Sequence, residues 1–446
     1  MTGYILLFLY FAVFLYFLKK LSFFKNVPGL TYNWIIIFFS LKVISGIALS
    51  LIYKYYYDPQ TSDIYRYFDD GLYLYSVFWK NPVDFFKILT GIGISQEHVD
   101  LYLSNMSHWF RPWEAPLYND NRVVIRFNAI VGLFSFGHLH VHTVFANIVS
   151  FTGLVALYKF FIKYMPKEKI IWLKWGIFLF PSLLFWGSGV LKEAVLIGCF
   201  GVSVYLADYL LMYKKIFWGK ILLLVACLWI LLLLKPYILV LFLPCFAGFY
   251  ISKNNNFLKT QLNYILSFSF LLILAIILHY AWPEYSPINL LARKQNDFIN
   301  LAIEFNAGSL IHVNYLKPDL LDILRNAPQG FLTTLLRPHI LEADTLFTLF
   351  ASLENMLILL LLIVAFVIPP NLSKQPPITY ISLWFFLAGF TFIGITTPIS
   401  GAIVRYKIVM LPFLWVFIVN LMKPSLTKRS KTIMNLAKRS RDRREQ

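Results

Sequence analysis

Charge is scarce in this chain. Charged residues make up 14% of its 446 positions, against roughly 25% in an ordinary soluble domain, while apolar residues reach 59%. That shortage excludes a soluble globular fold, whose surface needs far more polar cover. Cysteine is almost missing too. Cys199, Cys227 and Cys245 all lie in apolar runs with no CxxC pair, so neither a disulfide framework nor a thiolate metal site is present. There is no P-loop, no GxGxxG after a strand, no HExxH and no GxSxG. A bound nucleotide, a zincin-type centre and an α/β-hydrolase elbow are thereby excluded. Acidic residues are the scarcer sign, 22 against 40 Lys and Arg, for a net charge of +18. Such a balance can mark a nucleic-acid binder. Here the basic residues gather in short connections between apolar runs and in the C-terminal tail, where the positive-inside rule accounts for them, so no nucleic-acid partner is expected.

What the chain does have is long apolar sequence, with a mean hydropathy of +0.66. A spanning helix needs about 20 mostly apolar residues. Stretches 3–18, 33–53, 139–162, 170–187, 190–212, 217–234, 236–251, 258–280, 346–368, 378–396 and 402–421 meet or approach that length. They predict an all-α, polytopic bundle of about eleven spans. Met1–Leu18 lacks a basic n-region and a small-residue cleavage site and reads as a retained helix. Lys19, Lys20 and Lys25, Lys163, Lys167 and Lys169, Lys214, Lys215 and Lys220, and Lys253 and Lys259 mark cytoplasmic connections. Threading the spans through them puts the N-terminus outside and the C-terminus inside, in the cytoplasmic (inner) membrane. The bundle is then residues 1–422, with large outer loops at 54–121 and 281–345, and 423–446 is a basic cytoplasmic tail expected to be disordered. Stretch 122–137, opened by Arg122 and Arg126, must not cross, and reads as an amphipathic or re-entrant helix.

Nearly every unusual ionisable residue maps to the outer side. Ser62–Gly71 packs three carboxylates, one guanidinium and three aromatics into ten residues. If helical, it puts Asp63, Tyr67 and Asp70 at i, i+4 and i+7, on one face. That face could hold a divalent cation or supply a base beside a stacked sugar; alternatively Arg66 merely neutralises the carboxylates. Asp63 and Asp70 rank ahead of Asp69, and no full metal-ligand set is evident. Residues 72–90 read as a membrane-surface segment anchored by Trp79, Phe85 and Phe86. His108, Arg111, Trp113 and Glu114 share a loop suited to stacking on a sugar and donating to phosphate, or simply to an interfacial salt bridge. Phe180–Glu193 ends one span in Pro181, Trp186 and a Gly-Ser-Gly turn and begins the next with Lys192 and Glu193. A lysine beside free backbone N–H groups at a helix start makes an anion site; the plainer reading is a Lys192–Glu193 ion pair. Lys235 offers another cation at a helix end, where snorkelling is the plainer reading. Arg337, His339 and Glu342 precede Glu354 and Asn355 in the second loop, with Arg337 and His339 suited to a phosphate leaving group and Glu342 or His339 to a general base. Arg405 and Lys407 open the last span, and Arg405 is expected to face a cavity. His138, His140 and His142 alternate near a membrane boundary as a minor metal candidate. Residues 293–306 read as an ordinary solvated helix.

An acidic motif in the first large external loop, aromatic surroundings and basic residues at outer helix ends resemble the GT-C superfamily of integral-membrane glycosyltransferases. The run at 180–193 and Arg405-Tyr406-Lys407 also resemble bacterial surface-polysaccharide polymerases of the O-antigen and exopolysaccharide type. The resemblance implies a polyprenyl-(di)phosphate-linked sugar donor on the outer face, with a catalytic acid among Asp63, Asp69 and Asp70. Donor and sugar contacts would come from Lys192, Glu193, Arg337, His339, Glu342, Arg405, Arg111, Tyr67 and Trp113. In GT-C enzymes the acidic loop follows the first span, whereas here it follows the second. That departure favours the polymerase branch, in which Arg and His bind the diphosphate without metal. A flippase for lipid-linked oligosaccharide or a non-catalytic envelope subunit are the alternatives. A flippase predicts charge along a path through the bilayer, and the spans look nearly free of charge apart from Lys42 and Lys174.

Overall fold

The computed structural model describes residues 2–57, 62–110, 119–213, 217–253, 256–304, 308–367 and 372–422. Helices α1 (Thr2–Lys20), α2 (Tyr32–Tyr55), α3 (Asp63–Lys80), α4 (Pro82–Thr90), α5 (Gln96–Leu101), α6 (Asn121–Ser135) and α7 (Leu139–Tyr164) occupy the first part of the chain. The middle holds α8 (Ile170–Phe178), α9 (Pro181–Trp186), α10 (Lys192–Tyr213), α11 (Trp218–Leu234), α12 (Pro236–Ile251) and α13 (Phe257–Ala281). The remainder forms α14 (Pro287–Glu304), α15 (Leu320–Leu336), α16 (Leu346–Val367), α17 (Pro377–Thr396), α18 (Ser400–Tyr406) and α19 (Leu411–Leu421). No strand occurs among the described residues.

Among the described residues, seven helices are long and apolar enough to cross a membrane: α1, α2, α7, α10, α13, α16 and α17. An eighth span would be the pair formed by residues 400–409 and α19, bent by 67°. Helices α11 and α12 are apolar but shorter. The multi-pass character read from the sequence is therefore present, in a coarser form than eleven straight spans. Two predicted spans are broken. Stretch 170–187 divides into α8 and α9, with Leu179 and Phe180 between them and Pro181 opening the second piece. Stretch 402–421 bends at Met410, beside Pro412 in the first turn of α19. Proline lacks the N–H that would continue the ladder, so it ends or kinks a helix. Helix α6 forms where the non-crossing helix was expected and is not among the seven.

The chain divides into two compact units: Met1–Phe160 with Leu183–Leu239, and Phe161–Ser182 with the chain from Val240 onward. In the first unit, α3 buries Ile64, Tyr67, Phe68, Leu74 and Val77 at helical spacing. Of these, Ile64, Tyr67, Leu74 and Val77 join Phe85 and Ile88 of α4, Met106 and Trp109, and Val124, Ile125 and Ala129 of α6 in one apolar cluster. Phe85 is thus a core residue rather than a membrane anchor, whereas Trp79 and Phe86 are exposed as expected. Asn81 starts α4 by accepting the N–H groups of Val83 and Asp84, with Pro82 as its first residue.

The deepest polar feature of this unit is the turn at Gly187-Ser188. Lys42 of α2, fully buried, donates to the Gly187 carbonyl at 2.8 Å and to Ser188 Oγ at 3.0 Å. Ser150 Oγ of α7 also donates to Gly187 O at 2.8 Å, and Asn147 Nδ2 donates to Ser188 O at 2.8 Å. Gly46 lies against the same turn, where an added Cβ would stand 2.2 Å from Ser188 O.

In the second unit, α15 and α17 meet backbone to backbone, since a Cβ on Gly394 would fall 1.8 Å from Gly330 O. Thr334 Oγ1 donates across the contact to Phe390 O at 2.8 Å. Small residues permit this approach, as in membrane helix pairs generally. Helix α14 exposes Arg293, Asp297 and Glu304 as expected of a solvated helix over 293–304, but it is amphipathic. It buries Ile288, Ala292, Gln295, Ile299 and Ala302 on one face. Lys407, also buried, donates to Asn355 Oδ1, and Asn355 Nδ2 donates to Pro338 O at 3.0 Å.

Lys42→Met leaves acceptors of the 187–188 turn short of a donor, at a cost of about 1–3 kcal/mol. Gly46→Leu should cost at least as much through steric conflict. Thermal unfolding of the detergent-purified protein checks both, and an unchanged midpoint for Gly46→Leu would contradict the close approach.

Candidate functional site

In the first unit the residues of interest gather where α3, the loop after α5, the start of α6 and the start of α10 meet. The predicted helix over the acidic stretch is present as α3. Tyr67 and Asp70 face inward, Asp63 is half-buried and Asp69 is exposed. Asp70 Oδ1 accepts the Ser107 N–H at 3.0 Å and its hydroxyl at 3.4 Å, and Oδ2 accepts the His108 N–H at 2.8 Å. Asp70 therefore anchors the 106–109 loop to α3. Burial pushes its carboxyl above the usual carboxylate range, against the lowering effect of the His108 and Ser107 hydrogen bonds. Partial desolvation also raises Asp69, although its side chain reaches solvent. The His108 ring sits 4.0 Å from Asp70 Oδ2 and 2.6 Å from Ser107 Oγ.

The loop is tied onward to α6. Asn121 Nδ2 donates to His108 O at 3.3 Å, and Arg122 Nε donates to Trp109 O at 3.0 Å. The guanidinium groups of Arg122 and Arg126 lie 5.3 and 5.1 Å from the ring of Trp109, which is buried. Burial and the neighbouring Arg122 charge pull Arg126 down to about 10. Asn128 donates to Tyr67 O at 3.2 Å and accepts from His142 Nδ1 at 2.8 Å, while His142 Nε2 meets Ser135 Oγ at 2.6 Å. His142 thus joins α7 to α6. His138 turns to Thr2 Oγ1 at 3.4 Å, and the His140 ring lies over Tyr4. The three histidines do not converge, and no group of three His, Cys, Asp or Glu side chains suited to a metal occurs among the described residues.

Lys192 and Glu193 are both buried at the start of α10. They do not pair with each other, as the plainer sequence reading supposed. Successive helical residues diverge by 100°, and each finds a different partner. Lys192 Nζ lies 2.6 Å from Asp120 Oδ1 and 5.4 Å from the centre of the Tyr67 ring. Glu193 Oε1 lies 3.3 Å from Lys235 Nζ. Lys235 is thus an interior partner rather than a snorkelling side chain. Asp120 and Asn121 were missed by sequence reasoning. Their signal was the polar turn Asn119-Asp120-Asn121 ahead of α6.

In the second unit Arg337 Nη1 and His339 Nε2 each lie 3.2 Å from Glu342 Oε1, and Glu342 Oε2 accepts the His339 N–H at 3.2 Å. This cluster is partly exposed. Glu354 accepts the N–H and hydroxyl of Ser182 at 2.7 and 2.6 Å, capping the start of α9. Arg405 is half-buried on α18. Arg111, Trp113 and Glu114 lie outside the described residues. Besides Lys42 and Lys174, which the sequence singled out, Glu193, Glu354 and Lys407 are buried within or at the ends of apolar helices.

Chemically, the first unit brings together an ammonium at a helix start, a carboxylate in contact with it, an aromatic ring beside it and an imidazole-bearing loop held by a second carboxylate. Such a group can neutralise an anion and accept a proton. Comparison with known proteins returns nothing: no family model, no curated protein and no solved structure matches the chain.

Removing one partner of a buried ion pair costs about 3–5 kcal/mol, because the other charge is left stranded. Lys192→Met and Asp120→Leu should each lower the thermal midpoint strongly, and the double variant should recover a large part of the loss. Additive losses would show that the two groups are not coupled.

Proposed function

We propose that the protein is a membrane glycosyltransferase or polysaccharide polymerase. It would move sugar from a polyprenyl-(di)phosphate-linked donor to an acceptor hydroxyl at the outer face of the cytoplasmic membrane. The observation that carries the reading is Lys192, a buried ammonium at the first residue of a span-length helix, in contact with Asp120 and beside Tyr67.

In this mechanism the acceptor oxygen attacks the anomeric carbon, its proton passes to a carboxylate, and the bond from that carbon to the phosphate oxygen breaks. The phosphate leaves with the bonding electrons, and the Lys192 ammonium and the N–H groups opening α10 stabilise the charge that develops on it. In the second unit, taken by itself, Arg337, His339 and Arg405 are candidate cationic contacts for a lipid-linked substrate, and Glu342 orients the first two. Asp63, Asp69 and Asp120 are candidates for the base. Asp70 already accepts three hydrogen bonds, which suits it to positioning His108. Arg111 and Trp113 of the first large loop are candidates for sugar contacts, Tyr67 is buried and instead backs the Lys192 ammonium, and Glu193 holds the helix start through Lys235.

Transport of a lipid-linked oligosaccharide is the second reading, favoured by the buried charges Lys42 and Lys407 in apolar helices. The partners of both side chains, at the 187–188 turn and at Asn355, support a structural role for them.

Reconstitution with radiolabelled polyprenyl-linked sugars separates the readings. Lys192→Met should reduce product formation by at least about 100-fold, as expected for loss of a charge acting on the transition state, while Lys192→Arg keeps part of it. Asp70→Asn should lower the rate less than substitution of the true base. Full activity in Lys192→Met, or movement of the lipid across the bilayer without product, would refute the transferase.

A further inference from the structure

A cavity of about 270 Å³ opens in the second unit, and nothing in the proposed chemistry uses it. It is lined by Gln295, His312, Asn314, Asn326, Gln329 and Thr333, with Gly330, Gly394, Ile395 and Val313 completing the wall. Its construction is specific. The 309–316 segment is held at one end by a short bridge to residues 398–400: the Ile311 N–H donates to Pro398 O at 2.8 Å, and the Ser400 N–H to Ser309 O at 3.0 Å. At the other end, the Leu316 N–H is held by Gln295 Oε1 at 2.8 Å and by Asn296 Oδ1 at 3.1 Å. Between these two fastenings lie His312, Val313 and Asn314. Opposite them, α15 contributes Asn326, Gln329 and Thr333, and the backbone contact at Gly330 and Gly394 brings the end of α17 close enough to close the wall.

The lining decides the ligand class. Among the described residues the lining holds no carboxylate, lysine or arginine, so a phosphate would meet at most the His312 imidazole and would lose much of its hydration without a fixed counter-ion. An apolar ligand would cover the side-chain amides of Asn314 and Gln329 without offering them a partner. Amides and hydroxyls both donate and accept, which matches a ligand whose every edge is a hydroxyl. We propose that this cavity is a binding site for an uncharged sugar residue of a glycan. The inference rests on the transferase reading for its role, as a contact for acceptor or donor glycan, but not for its existence. The connection to the phosphate-binding residues is local. Phe298, one turn after Gln295, meets the ring of Tyr406 at 6.4 Å on α18, the helix that carries Arg405.

The test uses the full chain in lipid nanodiscs. Neutral oligomers of glucose, mannose, galactose and N-acetylglucosamine are offered beside oligoglucuronate and inorganic pyrophosphate, with saturation-transfer NMR and hydrogen exchange as readouts. The expected result is binding of at least one neutral oligomer, with protection of residues 309–316 and 320–336. Gln329→Leu and Asn326→Leu, both at accessible positions, should weaken that binding at least tenfold with an unchanged thermal midpoint. Silence across the neutral panel, preference for the charged probes, or full binding by both variants overturns the proposal. If neutral glycan binds at this cavity while no product forms from any lipid-linked donor, the transferase reading fails and the binding site stands. If product forms but the cavity binds nothing, the reverse holds.

Discussion

A broken helix inside an apolar bundle exposes carbonyl groups that lipid cannot satisfy, and each would cost several kcal/mol if left bare. The turn at Gly187-Ser188 is such a place, and much of the first unit is arranged around covering it. Lys42, Asn147 and Ser150 supply the donors, from two different helices. Gly46 supplies the absence of a side chain that lets α2 approach. An ammonium buried in a span would ordinarily suggest ion movement. Here it is the longest-reaching donor available for two acceptors that no helix ladder serves. The same turn sets where α10 begins, and so where Lys192 and Glu193 stand.

Several buried charges are held by a partner distant in sequence. Asp70 takes the 107–108 backbone, Lys192 takes Asp120, Glu193 takes Lys235 and Glu354 takes Ser182. These pairs fasten loops to helices at the ends of spans. Groups held this way are already desolvated and oriented, which is the physical condition for preorganisation.

The helical character of the chain, most span positions and the face shared by Tyr67 and Asp70 were legible in the sequence, because apolar length and helical periodicity are local signals. The breaks were less so. Pro181 and Pro412 were visible, but an apolar run on both sides made each stretch look continuous. The Lys192–Asp120 and Glu193–Lys235 pairs were not legible, since adjacency in sequence suggested that Lys192 and Glu193 would satisfy each other. The polar cavity of the second unit was hidden for a similar reason. Its amides come from three segments, each of which reads as unremarkable solvated sequence, and Gln295 looked like part of an exposed helix.

The divergence of Lys192 and Glu193 has a consequence for how the helix start can respond to a ligand. Glu193 clamps it to Lys235, independently of what Lys192 contacts. An anion that outcompetes Asp120 would therefore change the partner of one residue without loosening its neighbour. Asp120 would be released together with the turn it belongs to, while α10 stayed in place. One end of a helix thus carries both a fixed hinge pin and an exchangeable contact, and an arriving charge could be sensed by the loop side of the contact alone.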